Sequence, residues 1–146
     1  MKKYFTWNQI TRDIDTLTVL CKDKNISTIV GVGRGGLIPA TLLSYKLNVK
    51  IINNFQVQSY NDNNEAEQIK IKQIPATDVI EQSDNILIVD DLSDKGTTLT
   101  FIKEYFKNTD KSIFYATLYT KDKTTFVPDF FVRTYSNDDW LVFPWD

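Results

Sequence analysis

The sequence predicts an α/β fold: an open, mostly parallel twisted sheet with flanking helices, and a small hood formed by the terminal segments. Three observations carry this. Apolar residues recur at helical spacing in some stretches and cluster as short strand-like runs in others. One cluster, Ile86–Val89, is apolar at every position, the mark of a strand buried on both faces of a parallel sheet. The resulting order is strand, helix, strand, strand, helix, strand, with no repeat or linker to divide the 146 residues. A single domain, 1–146, is expected.

Each element has its own signal. In "TWNQITRDIDTLTVLCKDKN", Ile10, Ile14, Leu17 and Cys21 recur on one helical face, with Thr6 as N-cap and Asn25 as stop. "STIVGV" reads as a strand, "GRGG" as a turn, and "LIPATLLSYKLN" as a helix that tolerates Pro39 only near its first turn. "VKIINNFQV" is a second strand. The polar stretch "QSYNDNNEAEQIKIKQ" predicts a flexible loop over about 59–73, of the kind that forms active-site lids, or else a short polar hairpin. "IPATDVIEQSDN" reads as a connector or short edge element. After Ile86–Val89, Leu99, Ile102 and Phe106 share a helical face. "SIFYATLYT" is the next strand. The aromatic tail "FVPDFFVRTYSNDDWLVFPWD" predicts short strands or a flap.

Composition narrows the chemistry. Histidine is absent and Cys21 is the only cysteine, which excludes His-based triads, His-ligated zinc and an internal disulfide. Acid–base work must fall to Asp, Glu, Lys or Tyr. A net charge of −2 without a basic tract argues against nucleic-acid binding, which draws its affinity from phosphate neutralisation. No apolar run is long enough to span a membrane, and "MKKYFTWNQI" lacks the features of a signal peptide, so a cytoplasmic protein is expected.

Two turns follow strands, where open α/β sheets bind ligands. In "VGVGRGGLIPA", Gly31, Gly33 and Gly36 match GxGxxG, but no acidic residue follows in 51–60 to read a dinucleotide ribose. Glycines around Arg34 suit a bare pyrophosphate better, through exposed N–H groups and a charged fork. The plainer alternative is a tight turn with Arg34 in solvent. In "ILIVDDLSDKGTTL", paired Asp90 and Asp91 suit the vicinal hydroxyls of a ribose, or Mg²⁺. Asp94, Lys95, Gly96, Thr97 and Thr98 then open a helix whose N–H groups and hydroxyls suit a phosphate monoester. The plainer alternative makes Asp90 and Asp91 solvated caps. A ribose 5-phosphate bearing a 1-pyrophosphate has all three features.

"ILIVDDLSDKGTTL" resembles the signature of the type I phosphoribosyltransferases. "VGVGRGGLIPA", "SYNDNN", "LYTKDK" and "WLVFPWD" resemble the bacterial xanthine–guanine branch, in the same order along nearly the whole chain. The resemblance implies a Mg²⁺-dependent enzyme of purine salvage. It would transfer the phosphoribosyl group of phosphoribosyl pyrophosphate to an oxopurine (guanine, xanthine or hypoxanthine), giving a nucleoside 5'-monophosphate and pyrophosphate. It further implies that Asp90 and Asp91 hold the ribose hydroxyls, with Asp91 near the metal, and that the 94–98 turn holds the 5'-phosphate. Arg34 and Gly35 would form a pyrophosphate loop, often with a cis peptide. Asp94 would be the general base beside N7, and Lys121 would reach the 6-oxo group. Trp140 would stack on the base, Leu141 would offer its carbonyl, and Asp146 would reach a second Mg²⁺. A homo-oligomer, dimer or tetramer, is expected.

Three departures from the family pattern stand out. Lys95 replaces a threonine of the phosphate turn, and Gly33 replaces a small hydroxyl residue before Arg34. Ala66 stands near a loop arginine that closes on pyrophosphate, so that Lys70 or Lys72 would have to substitute by a register shift. These leave a second reading, a non-catalytic module that binds a nucleotide or phosphoribosyl pyrophosphate. Lys121 as a solvated lysine and Trp140 as a core or interface residue are the plainer alternatives for those two positions.

Overall fold

Thr6 opens the first helix with a reciprocal pair of hydrogen bonds: Gln9 N–H donates to Thr6 Oγ1 at 3.2 Å, and Thr6 N–H donates to Gln9 Oε1 at 2.8 Å. This capping box satisfies backbone donors that the helix cannot. Helix α1, Trp7–Cys21, buries Ile10, Ile14, Leu17 and Cys21, as the spacing predicts. Asn25 then turns left-handed at φ 53° and stops the segment. The computed structural model describes residues 1–60 and 68–146.

The remaining elements, in chain order, begin with β1 at Lys2–Tyr4, before α1. After α1 come β2 (Thr28–Val32), α2 (Gly33–Leu47), β3 (Ile52–Tyr60), β4 (Gln68–Gln73), α3 (Thr77–Glu81) and β5 (Asn85–Ser93). The chain ends with α4 (Thr97–Tyr105), β6 (Ser112–Lys121), β7 (Phe130–Tyr135) and β8 (Trp140–Val142). Among the described residues the main sheet has the order β4-β3-β2-β5-β6-β7, parallel except for β4. The α/β class is therefore as expected. The hood is the parallel pair β1–β8, with Lys2 opposite Trp140 and Tyr4 opposite Val142.

The central strand β5 explains its own sequence. Ile86–Val89 are all fully buried, with Leu87 and Val89 packing towards α1 and α2 and Ile86 and Ile88 towards α4. The chain leaves β2 outward through α2 to β3, then returns through β5 on the other side of β2. The direction of winding reverses between β2 and β5. That switch point opens a crevice beyond the carboxyl ends of the two strands.

Three local expectations are corrected. "GRGG" is the first turn of α2 rather than a loop, so Pro39 sits in the second turn, buried. The helix can start there because Gly33 takes φ +60° and Asn54 of β3 donates to the carbonyls of Gly31 (2.9 Å) and Gly33 (3.1 Å). The "IPATDVIEQSDN" connector contains the short helix α3. Over 59–60 and 68–73 the chain is strand rather than loop, paired as a β3–β4 hairpin with Ser59 opposite Ile69, in keeping with the hairpin alternative. Its tip, 61–67, with Ala66, lies outside the described residues. The tail forms short strands, the first of its two expected forms: a parallel edge strand, β7, on the main sheet and β8 in the hood. No helix among the described residues is long and apolar enough to cross a membrane.

Candidate active site

The acid pair lies where β5 passes the start of α2. A Cβ on Gly36 would lie 2.5 Å from the Val89 carbonyl oxygen and 3.1 Å from Asp90 Cα, so only glycine allows this approach. A Cβ on Gly35 would run into the Asp91 carboxylate. The two glycines thus bring Arg34 and the helix start to the acid pair. All peptide bonds among the described residues are trans, Arg34–Gly35 included.

The two acids line different cavities. Asp90 lines one of about 280 Å³ with Leu92 to Leu99, which holds Asp94, Lys95, Gly96, Thr97 and Thr98. Asp91 lines another of about 650 Å³ with Arg34, Gly35, Ile38, Trp145 and Asp146. The two carboxyls nonetheless stay in contact with each other, both against the start of α2. Asp90 is half-buried, and its Oδ1 accepts the Asp91 N–H at 2.8 Å. Burial, and then the neighbouring Asp91 charge, push its carboxyl well above the ordinary range. Asp91 is also pushed up, first by burial, with the Asp146 charge adding to it.

The phosphate-like turn is braced from outside. Gly96 takes φ +91° and leads into α4 with no side-chain cap among the described residues, leaving the first-turn N–H groups available. A Cβ at Gly96 would collide with the 124–126 backbone and hydroxyls. Thr125 donates to the Lys95 carbonyl through both its N–H (3.0 Å) and its hydroxyl (2.8 Å). Ser93 Oγ donates to the Phe126 carbonyl at 2.7 Å. Lys95 is exposed on the cavity wall.

The base-recognition candidates group separately, at the hood. Lys121 is not a solvated lysine: it is 5% exposed, and its ammonium donates to the carbonyls of Asp139 and of Asn137, the latter at 3.5 Å. Trp140 is not a core residue, being 68% exposed, while its neighbour Leu141 is buried. None of these three lines either cavity. Asp146 reaches the Asp91 cavity while its Oδ2 accepts the Phe143 N–H at 2.8 Å. Lys70 and Lys72 lie on β4, Lys70 placing its ammonium 4.8 Å from the Tyr60 ring centroid, and neither lines the two cavities.

Sequence reasoning missed Asn54, Ser93, Thr124 and Thr125, which hold the two turns in place. Asn54 carried a signal, an amide in the middle of a strand pattern. The hydroxyls around 124–126 carried none, since they act across 30 residues of chain.

An open parallel sheet with an acid pair, an uncapped helix start and a glycine–arginine turn at its switch point defines an α/β protein built around a phosphorylated, hydroxyl-bearing ligand. The chain belongs to the phosphoribosyl transferase domain family, whose model matches residues 2–146. It is an enzyme that transfers a pentosyl group. It is similar to the xanthine-guanine phosphoribosyltransferase of Cereibacter sphaeroides, 31% identical over 98% of this chain and 86% of that protein. It is also similar to that of Idiomarina loihiensis, 34% identical over 81% and 70%. The crystal structure of purine phosphoribosyltransferase from Pyrococcus horikoshii superposes with a TM-score of 0.83 at 36% identity, covering 99% of this chain and 94% of that one.

Proposed function

We propose that this protein is a purine-salvage phosphoribosyltransferase. It would move the 5-phosphoribosyl group of phosphoribosyl pyrophosphate to N9 of guanine, xanthine or hypoxanthine, with Mg²⁺. The observation that carries the reading is the Asp90 cavity, where a carboxylate and the uncapped start of α4 share one wall. Such a wall suits a sugar hydroxyl and a phosphate monoester at ribose spacing.

Each residue then has a task. The 94–98 turn holds the 5'-phosphate through first-turn N–H groups and the Thr97 and Thr98 hydroxyls, with Lys95 adding charge at the rim. Asp90 and Asp91 take the ribose hydroxyls. Arg34 and the Gly35 N–H hold the pyrophosphate and offset the charge that builds on it. As the bond from C1 to the pyrophosphate oxygen breaks, the sugar gains oxocarbenium character. The base nitrogen N9 supplies the new bond to C1. Asp94, beside N7, takes the proton that the base loses. An ammonium has three N–H donors. Two of those of Lys121 are committed to the Asn137 and Asp139 carbonyls, leaving one for a 6-oxo acceptor and none that suits the 6-amino group of adenine. Trp140 is exposed as a stacking face, and the Leu141 carbonyl faces the exocyclic position.

The donor set of the second cavity suits Mg²⁺. Asp91 and Asp146 are hard oxygen ligands whose mutual repulsion a cation would relieve. An ion held by two carboxylates would complete its shell with water and substrate phosphate oxygens. When bound it supplies charge neutralisation at the pyrophosphate.

The test is pyrophosphate release from phosphoribosyl pyrophosphate and Mg²⁺ with guanine, xanthine, hypoxanthine, adenine, uracil or orotate added singly. Release with one or more oxopurines, lost in Asp94→Ala and sharply reduced in Lys121→Ala, is the expected result. Silence with every base, alongside measurable binding of phosphoribosyl pyrophosphate, would leave a binding module in its place.

A further inference from the structure

We propose that Asp122 is a positioning residue for base recognition, acting through the backbone of the loop that carries Trp140. The role rests on the reading of Trp140 as the stacking face.

The loop Ser136–Asp139 joins β7 to β8 and delivers Trp140 as its next residue. It is gripped from the end of β6 on both backbone polarities. The buried Lys121 ammonium takes the carbonyls of Asn137 and Asp139. The next residue, Asp122, takes the opposite groups: its Oδ1 accepts the Asn137 N–H at 2.9 Å, and its own N–H donates to the Tyr135 carbonyl at 3.0 Å. Asn137 is thus held by its N–H and by its carbonyl, from two adjacent residues. Asp139 N–H closes the loop on the Ser136 carbonyl at 3.0 Å.

This matters because Trp140 has little to hold it. Its side chain is largely in solvent, so the ring's place over the base is set by its backbone. On the far side, β1 pairs with that backbone, Lys2 lying opposite Trp140. On the near side the Lys121–Asp122 grip is the tie to the main sheet. Lys121 also faces the base in the proposed reaction, so its removal would mix two effects. Asp122 is exposed and lines neither cavity, so its substitution tests the loop's position without touching the base contact.

The experiment compares Asp122→Ala and Asp122→Asn with the unaltered protein in steady-state kinetics, varying base and phosphoribosyl pyrophosphate in turn. Asn keeps an Oδ1 acceptor for the Asn137 N–H; Ala does not. The expected result for Asp122→Ala is a KM for the oxopurine raised about fivefold or more, the scale of one lost hydrogen bond. KM for phosphoribosyl pyrophosphate and Tm should be unchanged, and Asp122→Asn should restore the base KM. An unchanged base KM in Asp122→Ala overturns the role. So does an equal loss in both substrates with a lower Tm, which would make Asp122 a structural staple only, and so does failure of Asn to rescue. If the unaltered protein transfers to no oxopurine, the reading of the site fails first and takes this role with it. That outcome is distinct from the others because it appears before any variant is made.

Discussion

Adding one methyl group at Gly36 should damage catalysis more than stability. The new Cβ would lie 2.5 Å from the Val89 carbonyl oxygen, where ordinary contact begins at 3.4 Å, a shortfall of 0.9 Å. It would also lie 3.1 Å from Asp90 Cα and 3.2 Å from Asp90 Oδ1. Two of these three neighbours are backbone in the buried central strand, so β5 will not yield and the start of α2 must lift. Overpacking of this kind costs about 1–3 kcal/mol. Alanine returns up to about 1 kcal/mol through helix propensity. The net loss is therefore about 0–3 kcal/mol, a Tm drop of several degrees at most. The lift separates Arg34 and Gly35 from Asp90 and Asp91 by nearly an ångström, a misplacement that can cost about 100-fold in rate. Gly35→Ala is the companion. Its Cβ meets only the tip of the Asp91 side chain, which can rotate away, so stability should change by less than about 0.5 kcal/mol while activity still falls. The assay is kcat/KM for phosphoribosyl pyrophosphate beside urea and thermal unfolding. Gly36→Ala with unaltered kinetics would refute the claim that the α2–β5 approach sets the site.

Asp90→Asn should raise neutral-pH stability and lower activity together. Burial and Asp91 hold the folded Asp90 pKa above its unfolded value, so the folded state retains a proton that the unfolded chain has released. Stability should therefore fall as pH rises from the ordinary carboxylate value up through the folded one, and Asn should flatten that slope in pH-dependent unfolding. The lost charged hydrogen bond to ribose, about 1.5–3 kcal/mol, should lower kcat/KM about 10- to 150-fold. Trp140→Ala should raise the base KM about 5- to 150-fold, since stacking is worth about 1–3 kcal/mol, and leave Tm unchanged because the ring is exposed; an unaltered base KM would remove Trp140 from the site. Tyr119→Phe should cost about 1.5–3 kcal/mol in urea unfolding, because the buried Tyr119 hydroxyl donates to the Asp13 carboxylate and ties β6 to α1; a change below 0.5 kcal/mol, the noise of surface substitutions at about that size, would show the bond to be worth nothing.

Elements whose cause is local were legible in the sequence. The capping box of Thr6 and Gln9 and the stripe Ile10–Cys21 lie within one segment, so α1 could be bounded to a residue or two. The four-residue apolar run of β5 could belong only to a strand covered on both faces. Elements whose cause is distant were not legible. The short strand β1 exists because Trp140–Val142 lies beside it, and nothing in "KKY" announces a partner 138 residues away. The glycines at 33, 35 and 36 argue locally against a helix. They form one because Asn54 holds the turn and β5 leaves no room for a side chain. The chemistry-bearing residues were visible by type and spacing, but not their division between two cavities, since that follows from how the 92–99 turn, the start of α2 and Trp145–Asp146 pack around the end of β5.

The same division explains why the site tolerates charges that the rest of the fold would reject. Asp90 and Asp91 are adjacent and partly buried, and the Asp91 charge raises the Asp90 carboxyl beyond what burial does. A fold optimised for its own stability would separate them or pair them with cations. Instead Arg34 is exposed, across the second cavity from neutralising either carboxylate, and among the described residues it takes part in no ion pair within 4.0 Å. The start of α4, a ready source of positive potential, faces the Asp90 cavity without a capping side chain. Positive and negative groups thus line shared cavities without an ion pair among the described residues. A ligand that carries anionic phosphates at two ends, hydroxyls between them and a divalent cation would satisfy the three at once. On this view ligand binding offsets the cost of burying two adjacent carboxyls. It should be visible as a ligand-dependent rise in Tm that Asp90→Asn diminishes even as it stabilises the free protein.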